Sequence, residues 1–143
     1  MRPALKLILA LLLLALLTLA YFANKELNDI NKAVAAKKIQ REAQFATMIR
    51  DACLNYAVEY NRLPPDSDNK RLTAALRGDN ARQIPFLSLS KSQLNADNEM
   101  IDLWGTPLKI TFQGSSGIQV TSAGPDKVFG TADDIVSNTS AKQ

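Results

Sequence analysis

The amino-acid sequence predicts an α+β protein in which one long N-terminal helix packs on a small antiparallel sheet of about three strands. An apolar run at 7–23 passes without a break into a polar, helix-forming stretch that lasts until Pro64. A short helical pattern follows at 66–78, and alternating apolar and polar residues appear in the last third of the chain. Because the strands follow the helices instead of alternating with them, the order is typical of an α+β fold.

The apolar run at 7–23 is predicted to be a membrane segment. It carries no charge, and about 17 residues at a rise of about 1.5 Å each are at the short end of what spans a bilayer. A secretory signal peptide is the alternative, with residues 18–20 as a weak cleavage site. The stretch 24–62 contains no Gly or Pro, so the helix is expected to continue, which favours an uncleaved anchor.

Three parts of the chain follow from this pattern. We expect a membrane anchor at 1–23, an extended helix that continues it at 24–63, and one globular domain at 64–143. The domain should pack on residues 45–63, because apolar side chains recur there at helical spacing. These side chains are Phe45, Ile49, Cys53, Tyr56 and Tyr60.

The Pro-Pro pair at 64–65 is expected to end the long helix, since the residue before a proline is pushed out of the helical region. The segment 66–78 then predicts a second, short helix. Ser67 or Asp68 is its candidate N-cap, and Gly78 lies just past its end.

The sheet is predicted after a rigid turn at 102–107. This turn holds the chain's only tryptophan, Trp104, which we expect to anchor the core with its indole N–H bonded to backbone. Period-two alternation at 108–113 and 118–122 predicts a hairpin, and 135–137 offers a short third strand.

The net charge of +3 is unevenly placed. Residues 1–50 hold eight Lys/Arg and three Asp/Glu, a balance of +5, whereas 51–143 hold nine and eleven, a balance of −2. The basic excess therefore lies on the long helix, which is typical of a solvated helix face near a membrane, and no nucleic-acid partner is expected. Basic residues lie on both sides of the apolar run, so charge alone does not decide the membrane orientation.

The chain has one cysteine, Cys53, and no histidine. An internal disulfide, a Cys/His zinc site and a histidine-based catalytic relay are therefore excluded. We interpret Cys53 as a small buried apolar residue. No nucleophile setting is present, so we expect neither enzymatic activity nor a small-molecule substrate.

The loop before the predicted third strand is acidic. It contains Asp126, Asp133 and Asp134, with Gly124 and Gly130 allowing it to fold back. Three carboxylates at close quarters repel one another unless a cation lies among them, and a set of oxygen ligands without sulfur or imidazole selects Ca²⁺. The alternative is a solvated turn in which the Asp side chains accept hydrogen bonds from backbone N–H groups.

Several short motifs resemble the major (G-type) pseudopilin of bacterial type II secretion systems, a member of the type IV pilin-like superfamily. The motifs lie at the end of the long helix, in the tryptophan turn and in the acidic loop. They are Tyr56-x-x-x-Tyr60-x-x-Leu63-Pro64, Asp102-x-Trp104-Gly105-x-Pro107, Ser122-x-Gly124-Pro125-Asp126 and Gly130-Thr131-x-Asp133-Asp134-Ile135.

The resemblance implies a single-pass protein of the inner (cytoplasmic) membrane with its C-terminal domain in the periplasm. It implies self-association, or association with other pseudopilins, through the N-terminal helix into a short filament that serves protein secretion. It also implies a structural Ca²⁺ as cofactor. Asp126, Asp133 and Asp134 would be side-chain ligands, and the Ala123 carbonyl a fourth ligand.

The chain departs from the family pattern at its N-terminus. Family members begin with a prepilin peptidase site, a Gly followed by Phe or Met, and carry a Glu inside the apolar run. Here no Gly precedes Gly78 and no acidic residue precedes Glu26, and Leu103 replaces a Pro that is usual in the family. A second function therefore stays open, that of a non-polymerising, membrane-anchored periplasmic calcium-binding module with a pilin-like fold.

Overall fold

The computed structural model describes residues 3–64, 68–114 and 117–137. It confirms the predicted α+β class, with a long N-terminal helix followed by a small antiparallel sheet. The elements are helix α1 (Pro3–Tyr60), helix α2 (Asn69–Leu76), a 3₁₀ turn (Lys91–Gln93) and strands β1 (Lys109–Gln113), β2 (Gly117–Ser122) and β3 (Ile135–Ser137). The strands form a three-stranded sheet in the order β1-β2-β3.

The chain divides into two compact units, Met1–Lys37 and Lys38–Gln143. Every described residue of the first unit is exposed, including large apolar side chains such as Leu16 (64%) and Leu19 (67%). Within the described residues, α1 is the one helix that is long and apolar enough to span a membrane. The apolar part of this helix could therefore be a single membrane span.

The second unit has its own apolar core. The C-terminal part of α1 contributes Ala46, Ile49 and Cys53, which are fully buried, and Tyr56, which is nearly so. Burial of Cys53 confirms its interpretation as a small apolar residue. The other side chains of the core come from α2, β1, β2 and the segments before them, among them Leu72, Leu76, Met100, Leu108, Ile110, Ile118 and Val120.

In this unit, the end of α1 and the start of α2 each have a local cause. Helix α1 ends at Tyr60 because Asn61 adopts a positive φ of 52°, a conformation that asparagine tolerates and that closes many helices. The Asp68 side chain accepts a hydrogen bond of 3.0 Å from the Arg71 N–H and so caps α2. One of the two candidate N-caps is thereby confirmed, while Ser67 lies outside the described residues.

The hairpin has the register that its alternation predicts. Ile110 pairs with Val120 across β1 and β2, and Thr121 pairs with Val136 across β2 and β3. Alternate residues of β2 are buried, including Ile118 and Val120. One face of β2 therefore lies in the core and the other is partly solvated.

The Asn69 side chain joins α2 to the segments around β1. Its Nδ2 donates to the Met100 carbonyl (2.8 Å) and the Leu108 carbonyl (2.9 Å), and its Oδ1 accepts from the Met100 N–H (2.7 Å). The residue is buried, so these three bonds satisfy backbone groups that water does not reach.

The prediction that Trp104 anchors the core is wrong. Trp104 is half-buried and does not belong to the core cluster. Its ring lies 4.8 Å from the Lys38 ammonium, measured to the ring centroid, a cation–π distance. The buried residue of this turn is Asp102, which is 4% exposed.

Candidate functional site

The acidic loop runs from residue 123 to 134, between β2 and β3. Ala123 and Gly124 are buried at its start, and Gly124 has a φ of +67°. A Cβ atom at Gly124 would lie 2.3 Å from the Asp133 carbonyl oxygen and 2.9 Å from its Oδ2. The two ends of the loop are therefore in direct backbone contact, and the absence of a side chain at Gly124 permits that contact.

Each of the three predicted ligand residues accepts hydrogen bonds from within the loop. Asp126 Oδ1 accepts from the Val128 N–H (2.8 Å), and Asp134 Oδ2 accepts from the Gly130 N–H (2.7 Å). Asp133 uses both oxygens: Oδ2 accepts from the Asp126 N–H at 3.1 Å and Oδ1 from the Thr131 hydroxyl at 2.5 Å. These contacts are those that the turn interpretation of the loop predicts.

Hydrogen bonds within the loop favour the charged form of Asp133. The Thr131 hydroxyl, followed by the Asp126 N–H, holds the pKa of Asp133 below its ordinary value, because hydrogen bonds to the ionised form stabilise it. Asp134 Oδ1 is buried and has no hydrogen-bond partner among the described residues. An unpaired carboxylate oxygen of this kind is a suitable ligand for a hard cation.

The described part of the chain contains no group of three or more His, Cys, Asp or Glu side chains arranged to hold a metal ion. The structure thus places Asp126, Asp133 and Asp134 in one loop, beside the buried Ala123, without gathering them around one point. The donor chemistry fits Ca²⁺, and the free Asp134 oxygen fits one coordination bond. The calcium site stays a prediction.

A second polar cluster lies in the turn that precedes β1. Asp102 Oδ1 accepts from the Trp104 N–H (2.9 Å) and the Thr106 N–H (2.8 Å), and Oδ2 accepts from the Ser122 hydroxyl (2.8 Å). Ser122 Oγ in turn accepts from the Gly124 N–H (3.1 Å). This chain of hydrogen bonds links the tryptophan turn to the start of the acidic loop.

Sequence reasoning missed Glu42, which extends the same cluster. Glu42 is fully buried in α1, and its Oε2 accepts from the Leu103 N–H at 2.9 Å. Burial raises the pKa of this carboxyl to about 7; the nearby Asp102 charge adds to the rise, while the Leu103 N–H and Lys38 oppose it. The available signal was spacing, because position 42 precedes Phe45 by three residues and so shares a helix face with it.

A cleft of about 700 Å³ lies beside this cluster, within the second unit. Residues of α1 and residues of the tryptophan turn line it together. The lining includes Arg41, Phe45 and Met48 from α1 and Asp102 and Leu103 from the turn.

Comparison with models of protein families, with curated proteins and with solved structures gave no match.

Proposed function

We propose that the protein is a structural subunit of a type IV pilus-like filament, similar to the major pseudopilin of a type II secretion system. It is anchored in the inner membrane by the first part of α1, and a calcium-stabilised domain extends into the periplasm. Its partners are the membrane and other copies of itself or other pseudopilins, and it performs no catalysis.

The observation that carries this proposal is the contrast between the two parts of α1. All described residues before Lys38 are exposed, and those from Leu7 to Phe22 are mostly leucine, isoleucine and alanine. From Glu42 to Tyr56 the same helix buries one face in a folded domain. A bilayer or neighbouring helices would cover the first part. A subunit that is anchored in a membrane and packed in a filament has such surroundings along its helix.

Exposed apolar residues beyond the membrane run add support for self-association. Leu27, Ile30 and Val34 are each more than half exposed and lie three and four residues apart, so they form one stripe on the helix. Water is a poor environment for such a stripe. Packing against the same stripe of a second copy would remove it from water.

Calcium would stabilise the acidic loop before β3. Asp126, Asp133 and Asp134 supply oxygen ligands, with the Ala123 carbonyl as a fourth. The support is the unpartnered, buried Asp134 Oδ1, a carboxylate oxygen that a hard cation can bind. The lowered pKa of Asp133 keeps that side chain ionised, as a metal ligand must be.

The second candidate is a non-polymerising, membrane-anchored periplasmic module with the same domain and the same calcium loop. The absence of an acidic residue before Glu26 favours it, because assembly in the family that this chain resembles uses a glutamate inside the apolar run. The two proposals differ in whether the protein self-associates, and both include a membrane anchor and a calcium site.

Chemical crosslinking of the full chain in membranes, at low expression, separates the two. The filament proposal expects a ladder of multiples of the 15.7 kDa chain. Val34→Glu should shorten the ladder because it places a charge in the apolar stripe, whereas Asn28→Glu, an equal charge change at another exposed position of α1, should not. Monomer alone would reject the filament and leave the anchored module.

Calcium is tested by thermal unfolding with calcium and with EGTA. A ligand that binds only the folded state at about 100 times its Kd stabilises by about 2.7 kcal/mol. Asp126→Asn and Asp133→Asn should each remove the calcium response, and Asp97→Asn, in an exposed turn elsewhere, should keep it. A parent protein whose melting temperature ignores EGTA would rule the calcium site out.

A further inference from the structure

The contact between α1 and the tryptophan turn contains a carboxyl group in an unusual setting. Glu42 has no exposed surface, its Oε2 accepts one hydrogen bond from the Leu103 N–H, and its Oε1 has no hydrogen-bond partner in the described ranges. A buried carboxylate normally has several donors, because an ion without them loses its hydration uncompensated. Glu42 thus meets the requirements of a neutral carboxyl group better than those of a charged one.

The charged groups that face Glu42 do not compensate for its missing hydrogen-bond donors. Asp102 acts on it with a like charge, and the hydrogen bonds that Asp102 accepts from Trp104, Thr106 and Ser122 keep it oriented and unable to move away. Among the described residues, Lys38 supplies the favourable charge that acts on Glu42, and its ammonium also lies over the Trp104 ring.

We propose that Glu42 is a pH-sensitive latch: its neutral form holds the turn at 102–106 against α1, and its ionisation weakens that contact. The proposal rests on the buried cluster and is independent of whether the protein forms filaments. The hydrogen bond from the Leu103 N–H to Glu42 Oε2 favours the ionised carboxyl, but the loss of hydration on burial outweighs it. Release of the turn would hydrate the carboxylate and expose the turn.

The direction of the pH effect follows from the pKa of Glu42. Burial, as the largest cause, raises that pKa from 4.5 to about 7 in the folded protein. When the turn is released, water reaches the carboxyl and its pKa returns toward the ordinary value. Attachment of the turn is therefore strongest below pH 4.5 and weakens as the pH rises through about 7, by a factor of up to roughly 300.

The latch would alter the surface of the domain as well as its stability. Asp102, Leu103 and Gly105 belong to the turn and also line the cleft beside α1. Movement of the turn therefore changes the shape of this cleft. A pH above about 7 would favour release of the turn, and a pH below 4.5 would favour its attachment to α1.

Trp104 fluorescence tests the latch directly, because the chain's only tryptophan lies in the turn. Emission of the full chain in detergent micelles is followed between about pH 5 and pH 9, a range that brackets the raised pKa. The parent should show a transition with its midpoint near 7, and Glu42→Gln should show none. Glu26→Gln, which removes an exposed glutamate from the same helix, should keep the parent transition.

A second variant keeps the test decisive if Glu42→Gln does not fold, as judged by circular dichroism. Lys38→Met removes the favourable charge beside Glu42, so the midpoint should move to higher pH while the glutamate itself is unchanged. The midpoint, unlike the intensity, is insensitive to the loss of the Lys38 contact with the Trp104 ring. A parent without a transition, a transition that persists in folded Glu42→Gln, or an unshifted midpoint in Lys38→Met would each overturn the proposal.

Discussion

Replacement of Gly124 by alanine should destabilise the domain far more than a glycine-to-alanine change usually does. The new Cβ would lie 2.3 Å from the Asp133 carbonyl oxygen, where ordinary contacts begin at 3.4 Å. The backbone must therefore shift, at a cost of about 1–3 kcal/mol, the range for an overpacked interior. The positive φ of +67° adds about 1–2 kcal/mol for a residue with a side chain.

Gly130→Ala is the matched control for this change. Gly130 also has a positive φ, +91°, but a Cβ there would meet nothing within 4 Å. Its substitution should cost only the conformational term, about 1–2 kcal/mol. The difference between the two variants therefore isolates the contact between Gly124 and Asp133.

Thermal unfolding of the full chain in detergent, followed by near-UV circular dichroism, measures this difference. Each kcal/mol lowers the melting temperature of a domain of about 100 residues by roughly 4–8 °C. Gly124→Ala should therefore melt about 8–40 °C below the parent, and Gly130→Ala about 4–16 °C below it. Equal melting temperatures for the two variants would show that the ends of the acidic loop are not in contact, and the reasoning on the loop would fail.

Three further predictions concern the second unit. Asn69→Ala should lower the free energy of unfolding by about 2–4 kcal/mol, measured by urea denaturation, because the buried Met100 N–H and Leu108 carbonyl lose their hydrogen bonds to the Asn69 side chain. Cys53, whose pKa burial raises to about 12, should react with a thiol reagent only after urea unfolds the protein; rapid labelling of the native state would contradict its placement. Relative to Glu42→Gln, the parent should lose about 3 kcal/mol of unfolding free energy between pH 4.5 and pH 8, because the pKa of Glu42 is raised in the folded protein. Parallel curves of unfolding free energy against pH for the two proteins would contradict this.

Local patterns were sufficient for the type and order of the helices and strands, but not for their ends. The alternation at 118–122 predicts β2 because every second side chain meets the core. The end of α1 was expected a few residues late, near the Pro-Pro pair, whereas the helix ends at Tyr60 because Asn61 takes a left-handed conformation. Sequence patterns give such boundaries poorly, since one residue's backbone angle decides them.

Burial of individual polar and aromatic residues was not predictable in this way. Glutamate in a helix is usually solvated, and the burial of Glu42 depends on a turn sixty residues later in the chain that covers it. Trp104 was expected in the core for its size, yet the turn directs it toward Lys38 at the edge of the domain. Both outcomes depend on tertiary packing that neither hydrophobic period nor spacing encodes.

The acidic loop shows the same limit for the candidate site. Composition places Asp126, Asp133 and Asp134 in one loop, and this much the sequence determines. Turn conformations, including the left-handed ones of Lys127 and Gly130, determine which N–H group donates a hydrogen bond to each carboxylate. Those conformations, and not the number of acidic residues, decide how many oxygens remain free for a cation.

The hydroxyl of Ser122 makes two parts of the domain cooperative. Its single proton points to Asp102, so its lone pairs are left for the Gly124 N–H, and the three groups form one polarised series. The tryptophan turn and the acidic loop, twenty residues apart in the chain, are therefore expected to open as one unit. A cation bound in the loop would therefore also stabilise the tryptophan turn, because the Ser122 hydroxyl oxygen joins the two by hydrogen bonds.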